Sequence, residues 1–281
     1  MGRFARSWAL AKASLDVLKS DKELLVFPLV SAVALVLVAA SFIAPAFGFG
    51  LFAQAAGDHG VPPAFVAWLF AFYLAQYFVM FFFNAALVGA AMMRLDGGDP
   101  TVRDGLRIAG RKWLPILGYA AIAATVGMLL RAIEERAGFI GRLITGAIGV
   151  AWTLATFLTV PLLVARDVGP LEAVRESAAL LKRTWGENLI GKGGIGLAFG
   201  LLMFGVLALG GLGAFVAASN GWMVLLVADL VLAGIAVLGL ALVQAALSGI
   251  YSAALYRYAT EGNAPAGFDG VLLREAFQKK V

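Results

Sequence analysis

The chain lacks cysteine altogether and has a single histidine, His59, among its 281 residues. It therefore forms no disulfide, carries no S-palmitoyl anchor and offers no thiolate to a metal or a substrate. Charged residues are also scarce, at 14% against about 25% in soluble domains. The apolar fraction is 62% and the mean hydropathy is +0.91, so the composition excludes a soluble globule and predicts a membrane protein.

Six apolar runs are each long enough to cross a hydrocarbon layer of ~30 Å. They cover residues 24–47, 64–93, 114–133, 143–165, 193–218 and 222–256. We therefore expect an all-α, polytopic fold in which residues 1–281 form one integral membrane domain with a cytoplasmic tail at 257–281, which contains a short helix from Asp269. The sixth run is about 52 Å long as a helix, so we expect it to tilt, to bend near Gly234 or Gly239, or to protrude.

The 22 Lys and Arg residues are distributed unevenly over the connections. With six spans, nineteen of them lie on the side of the two termini, and the other side has only Arg131, Arg136 and Arg142. Basic residues concentrate in cytoplasmic loops, which predicts cytoplasmic N- and C-termini. Each cation gains ~1 kcal/mol near anionic headgroups. The lipid bilayer and its anionic phospholipids are thus the expected partners, and nucleic acid is not.

Three basic segments, at about residues 3–20, 100–113 and 170–186, have apolar residues at helical spacing. Their stripes are Phe4, Trp8, Ala11, Leu15 and Leu18, then Val102, Leu106, Ala109 and Trp113, then Leu171, Val174, Ala178, Leu181 and Trp185. Asp99–Pro100 and Gly169–Pro170 are start signals that place proline at the first helical position. The pattern predicts interfacial helices at the cytoplasmic surface. Side chains expected to contact the membrane surface or anionic lipid are Arg3, Arg6, Trp8, Lys12, Arg103, Arg107, Arg111, Trp113, Lys182, Arg183 and Trp185. The alternative is that the stripes pack on the protein's own spans.

The three amphipathic segments each precede a pair of spans, which suggests a threefold repeat. Residues Ser7, Ala9, Leu10, Lys12 and Ser14 match Ser177, Ala179, Leu180, Lys182 and Thr184 at a constant offset. The second segment matches less well. The simplest organisation is three units, each an interfacial helix followed by two spans.

Two parts of the chain resemble known families. Residues 4–28, from Phe4-Ala5-Arg6-Ser7-Trp8 to Phe27-Pro28, and the ending at 254–260 and 267–269 resemble a bacterial and archaeal family of unknown function of six-span membrane proteins. Segment 169–185 is similar to the membrane domain beside some glycerophosphodiester phosphodiesterases. The first resemblance implies a bacterial or archaeal inner-membrane location, and neither implies catalytic residues.

Polar side chains inside the predicted spans concentrate on one face of the second, fourth and sixth runs. The candidates for the lining of a shared cavity are Tyr73, Gln76, Tyr77, Asn84, Thr145, Trp152, Thr156, Thr159, Asp229, Gln244, Ser248 and Tyr251. We hypothesise that these faces turn toward a common interior. The alternative is ordinary packing, in which Thr bonds its own i−4 carbonyl and Asn or Gln bridges two helices.

Asp229 is the only acid inside a predicted span, roughly 10 Å below the outer interface. An intramembrane carboxylate is a candidate functional group. The alternative, which we favour, is that Asp229 snorkels to the interface or pairs with Arg131 or Arg142. Asn84 and Gln244 lie at similar predicted depth and are placed to bond to each other. The glycines of the fifth run predict close helix packing.

The sequence contains no motif for a metal site, a nucleophile or a cofactor, so we expect no enzymatic activity and no cofactor. The leading hypothesis is a membrane protein that handles a small solute or lipid in a cavity among the even-numbered spans. The alternative is a structural or partner-binding membrane subunit whose cytoplasmic helices dock a membrane partner protein or a second copy.

Overall fold

The computed structural model describes residues 3–48, 50, 62–185, 191–262 and 268, leaving aside the side chains of 3–11, 183–185, 191–195 and 197. Every regular element in these residues is helical, as the sequence predicts. The α-helices are α1 (Arg3–Ser20), α2 (Val26–Gly48), α3 (Pro63–Leu95), α4 (Val102–Arg111), α5 (Trp113–Arg136), α6 (Phe139–Ala155), α7 (Thr159–Ala165), α8 (Pro170–Trp185), α9 (Gly191–Ser219) and α10 (Met223–Glu261). A 3-10 helix, Lys22–Leu25, joins α1 to α2.

Six helical stretches are long and apolar enough to cross a membrane. They are Lys22–Gly48, Pro63–Leu95, Trp113–Arg136, Phe139–Ala165, Ala198–Ser219 and Met223–Glu261. The expectation of six apolar spans is confirmed, and the protein is a multi-pass membrane protein by the length and composition of its helices. The order of one amphipathic helix and two spans occurs three times in the chain, but the threefold repeat itself stays a prediction. The last helix is one uninterrupted element of 39 residues, about 58 Å long.

Only one of the two predicted proline starts is correct. Pro170 is the first residue of α8, as expected. Pro100 instead precedes the cap of α4, because the Thr101 hydroxyl accepts a hydrogen bond from Asp104 N while the Asp104 carboxylate accepts one from Thr101 N. Hydrogen bonds from the Thr101 hydroxyl and, with a smaller effect, from the Thr101 backbone N–H lower the pKa of the Asp104 carboxyl. A helix that was expected to start at Asp269 lies outside the described residues.

The buried core lies at one end of the bundle. We call it the basic end because the Lys- and Arg-rich segments 94–112 and 166–182 lie there, together with Arg257 near the end of α10. α3 is its centre and packs against α2, α4, α5, α7 and α10. Small residues are numerous in the buried parts of α3 and α10: Ala85, Ala86, Ala90, Ala91, Ala253 and Ala254 are all buried. A Cβ at Gly249 would lie 2.5 Å from Leu87 Cδ2, so these two helices approach more closely than larger side chains would allow.

The amphipathic helix α4 turns two small residues toward the spans, and only one of them belongs to its predicted stripe. Gly105 and Ala109 are buried, and Gly105 packs on Phe27. The predicted stripe residue Leu106 is exposed, and Trp113, which is 52% exposed, begins α5. The predicted stripe is therefore right at Ala109 and Val102 and wrong at Leu106 and Trp113. Gly105, which was not predicted, lets the backbone approach closer than leucine or tryptophan can.

Helix α8 also differs from its predicted stripe. Ala173, Ser177 and Leu181 are buried at a spacing of four, whereas Leu171 is 52% exposed. A polar residue, Ser177, thus occupies the middle of the buried face. For the described parts of α4 and α8, packing on the protein's own spans accounts for the buried face.

Ion pairs join the connections at the basic end. Arg257 near the end of α10 pairs with Asp96, which follows α3, and with Glu261. Lys112, between α4 and α5, donates to the Arg166 carbonyl and pairs with Asp167, and this contact lowers the pKa of the Asp167 carboxyl. These contacts place the end of α10 and the connections before α4 and α8 side by side.

The opposite half of the bundle presents large apolar side chains outward. On α2, α6, α9 and the first part of α10, residues such as Val36, Ile140, Phe204, Phe215 and Val224 are exposed. Such surfaces are stable in hydrocarbon, which fits helices that span a membrane.

Candidate functional site

The fourth span is broken within the region that would lie in the membrane. α6 ends at Ala155 and α7 begins at Thr159, with residues 156–158 forming a turn. Pro161 explains the position of the break, since its ring has no N–H and would clash with the carbonyl of residue 157 in a continuous helix. The break lies roughly 10 Å from the end of the span at Ala165.

Ser177 of α8 satisfies the backbone groups that the break exposes. Its hydroxyl donates to the Ala155 carbonyl at 2.6 Å and accepts from Leu158 N at 3.0 Å. Ser177 is fully buried. Non-helical backbone at membrane depth needs such partners, so α8 holds the break in place.

Four hydroxyl side chains surround the break: Tyr119, Thr156, Thr159 and Tyr251, which we call the break site. The Tyr119 hydroxyl approaches those of Thr156 and Thr159, without the geometry of a hydrogen bond to Thr159. The ring of Tyr251 on α10 lies 6.1 Å from that of Phe157 in the turn. The site thus joins α5, the fourth span and α10.

Two polar atoms of the break site are buried and have no hydrogen-bond partner in the described structure, Thr159 Oγ1 and Tyr251 OH. Thr159 is 0% exposed and Tyr251 is 2% exposed. The i−4 carbonyl of Thr159 belongs to Ala155 and already accepts from Ser177, whereas Thr156 bonds its own i−4 carbonyl at Trp152. Each unsatisfied buried group costs about 1–3 kcal/mol.

The predicted lining residues at the start of α3 bond to neighbouring helices. Tyr73 accepts from Arg131 Nη1 of α5 at 2.5 Å, and Gln76 donates to the Leu35 carbonyl of α2 at 3.3 Å. Tyr77 stacks on Phe81 of the same helix with ring centroids 5.7 Å apart, and its hydroxyl lies 3.1 Å from where a Cβ at Gly127 of α5 would be. These three residues thus lie at contacts with the odd-numbered spans α2 and α5.

The other predicted lining residues are dispersed. Thr145 bonds its own i−4 carbonyl at Gly141. Asn84 Oδ1 lies 3.6 Å from where a Cβ at Gly249 would be, and the expected bond to Gln244 is not formed among the described residues. Trp152, Gln244 and Ser248 are partly buried. A cavity shared by all twelve residues stays a prediction. Among the twelve, Thr156 and Thr159 flank the turn of the break, and the ring of Tyr251 lies against Phe157 in that turn.

Asp229 lies on the contact between α9 and α10. A Cβ at Gly213 would be 2.7 Å from Asp229 Oδ1, so the absence of a side chain on α9 makes room for the carboxyl. The expected pair with Arg131 or Arg142 is wrong within the described residues, because Arg131 binds Tyr73 and Glu135. A carboxylate at the centre of a spanning helix costs about 2.5–3.5 kcal/mol, which makes an unpaired one notable.

The residues predicted to contact the membrane surface are described in part. Arg103, Arg107 and Arg111 are exposed along one side of α4, and Lys12, Trp113 and Lys182 are exposed as well. The side chains of the remaining members lie outside the described residues: Arg3, Arg6, Trp8, Arg183 and Trp185.

Sequence reasoning missed three residues that shape these sites. Pro161 is the signal that would have predicted the break, since proline inside a helix interrupts it. Ser177 had been noted only for its repeat pattern, and Tyr119 was not among the predicted lining residues. No sequence signal pairs Ser177 with residue 155 or 158.

A family model, described as a family of unknown function (DUF6159), matches residues 63–268. The match covers more than two thirds of the chain and includes the break site and the α9–α10 pair. No curated protein and no solved structure matches the chain. The chain belongs to the DUF6159 family, as its resemblance to an uncharacterised family had indicated.

Proposed function

We propose that this member of a family of unknown function handles a small solute or a lipid inside the membrane, without catalysing a reaction. The observation that carries the proposal is the pair of unsatisfied buried atoms at the break site, Thr159 Oγ1 and Tyr251 OH. Buried polar groups almost always have a partner. A polar group of a bound molecule would supply it.

The chemistry of the break site favours an uncharged ligand group. Its four side chains are hydroxyls, which donate and accept hydrogen bonds but carry no charge to neutralise an ion. A hydroxyl, an ester or an amide of a small solute or lipid matches them. Broken helices near the middle of the membrane are a recurring feature of solute sites in transporters.

Access to the site needs movement of the fourth span. Thr159 and Tyr251 are closed off from the surface, so a ligand enters only when α7 separates from α10. The turn at residues 156–158 is where such a movement would be absorbed, because its backbone is held by one serine side chain rather than by a continuous helix.

The membrane surface is the second part of the proposal. The basic end faces the cytoplasm of a bacterial or archaeal inner membrane, and the exposed row of Arg103, Arg107 and Arg111 contacts anionic headgroups. Each such contact is worth ~1 kcal/mol near the surface. The opposite faces of α4 and α8 hold the helices to the spans.

The test removes the two unsatisfied hydroxyls without changing side-chain volume much. Wild type, the double variant Thr159→Val/Tyr251→Phe and the control Thr125→Val are extracted in native lipid discs, and co-purifying solutes and lipids are quantified by mass spectrometry. Thr125 is exposed and bonds its own i−4 carbonyl, so its hydroxyl is irrelevant to the site. We expect a molecule enriched with wild type and control to fall about tenfold or more in the double variant.

The outcome is informative even if stability changes. Removing unsatisfied polar atoms should leave the empty protein at least as stable, which thermal unfolding measures. Equal amounts of the same molecules in all three samples would contradict the proposal. A protein bound at fixed stoichiometry would instead favour the second candidate, a structural or partner-binding subunit. Two exposed apolar side chains favour that candidate: Trp113, which follows α4, and Leu171 on α8.

A further inference from the structure

The α9–α10 pair carries a second polar feature, separate from the break site. Gly210 faces Ala233 and Gly213 faces Asp229, so the two helices run antiparallel with the acid in their contact. Asp229 Oδ2 is buried and has no hydrogen-bond partner in the described structure. The carboxyl is therefore accommodated by a glycine and left without a protein partner there.

A groove opens beside this carboxyl. Its volume is about 540 Å³, within the range of roughly 300–1,000 Å³ that small-molecule sites occupy. Apolar side chains form most of its walls, among them Leu209, Leu212, Val216, Leu225 and Leu232. Trp222 lines it at the turn between the helices, about 10 Å along α10 from the acid.

We infer that this groove binds a lipophilic amine, whose cationic N–H group pairs with Asp229 Oδ2 and whose alkyl body lies along the apolar walls. Charge complementarity favours the amine: the unpartnered polar atom of the groove belongs to an acid, and an N–H donor satisfies it. An alcohol would offer a weaker, uncharged bond, and an anion would be repelled. The apolar walls accept the alkyl chain by burying it.

The probe is a decylamine that carries a photoreactive diazirine in its alkyl chain. The full-length protein in phosphatidylcholine nanodiscs is irradiated with it, and labelled residues are mapped by mass spectrometry. We expect labels on the groove residues Leu212, Val216 and Leu225, competed by decylamine at least tenfold better than by decanol. This comparison uses the unaltered protein, so it does not depend on the folding of a variant.

A variant pair then tests the acid itself. Asp229→Asn keeps the size of the side chain and should lower groove labelling at least tenfold, whereas Glu172→Gln removes an exposed acid at the basic end and should leave labelling unchanged. Size-exclusion chromatography checks that both variants are folded. The Thr159→Val/Tyr251→Phe protein should label like wild type, so failure of the break-site proposal and of this one are distinguishable.

Three results would overturn the inference. Equal competition by decanol and decylamine would mean an apolar groove occupied by a lipid chain. Equal labelling of wild type and folded Asp229→Asn would remove the acid from binding. Absence of labelling would mean that the amine does not enter the groove, and a dimer in size-exclusion chromatography would then indicate that a second copy fills it.

Discussion

At the scale of single residues, the packing at the basic end depends on side chains that are absent. Gly105 of α4 lies against two other helices: a Cβ there would be 2.5 Å from Phe27 Cζ and 2.7 Å from the Ala86 carbonyl oxygen. The second neighbour is backbone, which cannot rotate away. Gly110, one and a half turns further along the same helix, has nothing within 4 Å of such a Cβ.

We predict that Gly105→Ala destabilises the protein and Gly110→Ala does not. Overpacking a tight contact costs about 1–3 kcal/mol, whereas alanine in an open helical position gains up to ~1 kcal/mol over glycine. Thermal unfolding of the two variants in detergent, followed by size-exclusion chromatography, measures the difference. If Gly105→Ala were as stable as Gly110→Ala, α4 would not pack against α2 and α3 as described.

At the scale of elements, the amphipathic helix α8 supplies hydrogen bonds that the broken fourth span cannot form within itself. Pro161 interrupts the fourth span, and α8 supplies the missing partner through Ser177. Because the turn at residues 156–158 separates Thr159 from Ala155, the Thr159 hydroxyl does not have the i−4 carbonyl of a continuous helix as its acceptor. The unsatisfied atom at the break site is thus a consequence of the break itself.

Ser177→Ala should therefore destabilise the protein by about 1–3 kcal/mol for each backbone group that it leaves unpaired. The matched control is Ser41→Ala, since Ser41 is exposed on α2 and bonds only the Val38 carbonyl in the described structure. We expect the thermal midpoint to fall for Ser177→Ala and to stay within error for Ser41→Ala. Similar midpoints for both variants would show that the break does not depend on α8.

At the scale of the whole molecule, the two halves of the bundle differ in which side chains they bury and which they expose. The basic end contains the small-residue core and the ion pairs of Arg257 and Lys112, whereas the opposite half exposes large apolar side chains. In a membrane, lipid covers that second half. The α9–α10 pair packs closely there, and the groove beside Asp229 opens on that exposed half.

Labelling of single cysteines tests the proposed orientation, and the absence of native cysteine removes any background. Gly110→Cys places a thiol at the basic end and Asn220→Cys places one at the α9–α10 turn, both exposed. In spheroplasts we expect a membrane-impermeant maleimide to label position 220 at once and position 110 only after lysis. Labelling of both positions from outside would contradict three membrane passes between them, and the reverse order would invert the orientation.

The sequence alone determined the class and the order of the spans. Apolar runs of about 20 residues have one stable solution in a membrane, the helix, because hydrocarbon offers no partner for backbone groups. Proline alone did not determine where a helix starts. Pro170 begins α8, whereas Pro100 precedes the N-cap Thr101, which forms a capping box with Asp104 three residues later.

Only the tertiary structure decided which face of each helix is buried and which polar groups meet. The stripes predicted for α4 and α8 contain the buried residues Ala109 and Leu181, but small residues outside the stripes complete the buried faces: Gly105, Ala173 and Ser177. The backbone at the break bonds a serine on the following helix, and Asp229 fits against a glycine of the preceding one. Such pairings are set by how closely two backbones approach in space, and helical periodicity within one segment contains no information about that distance.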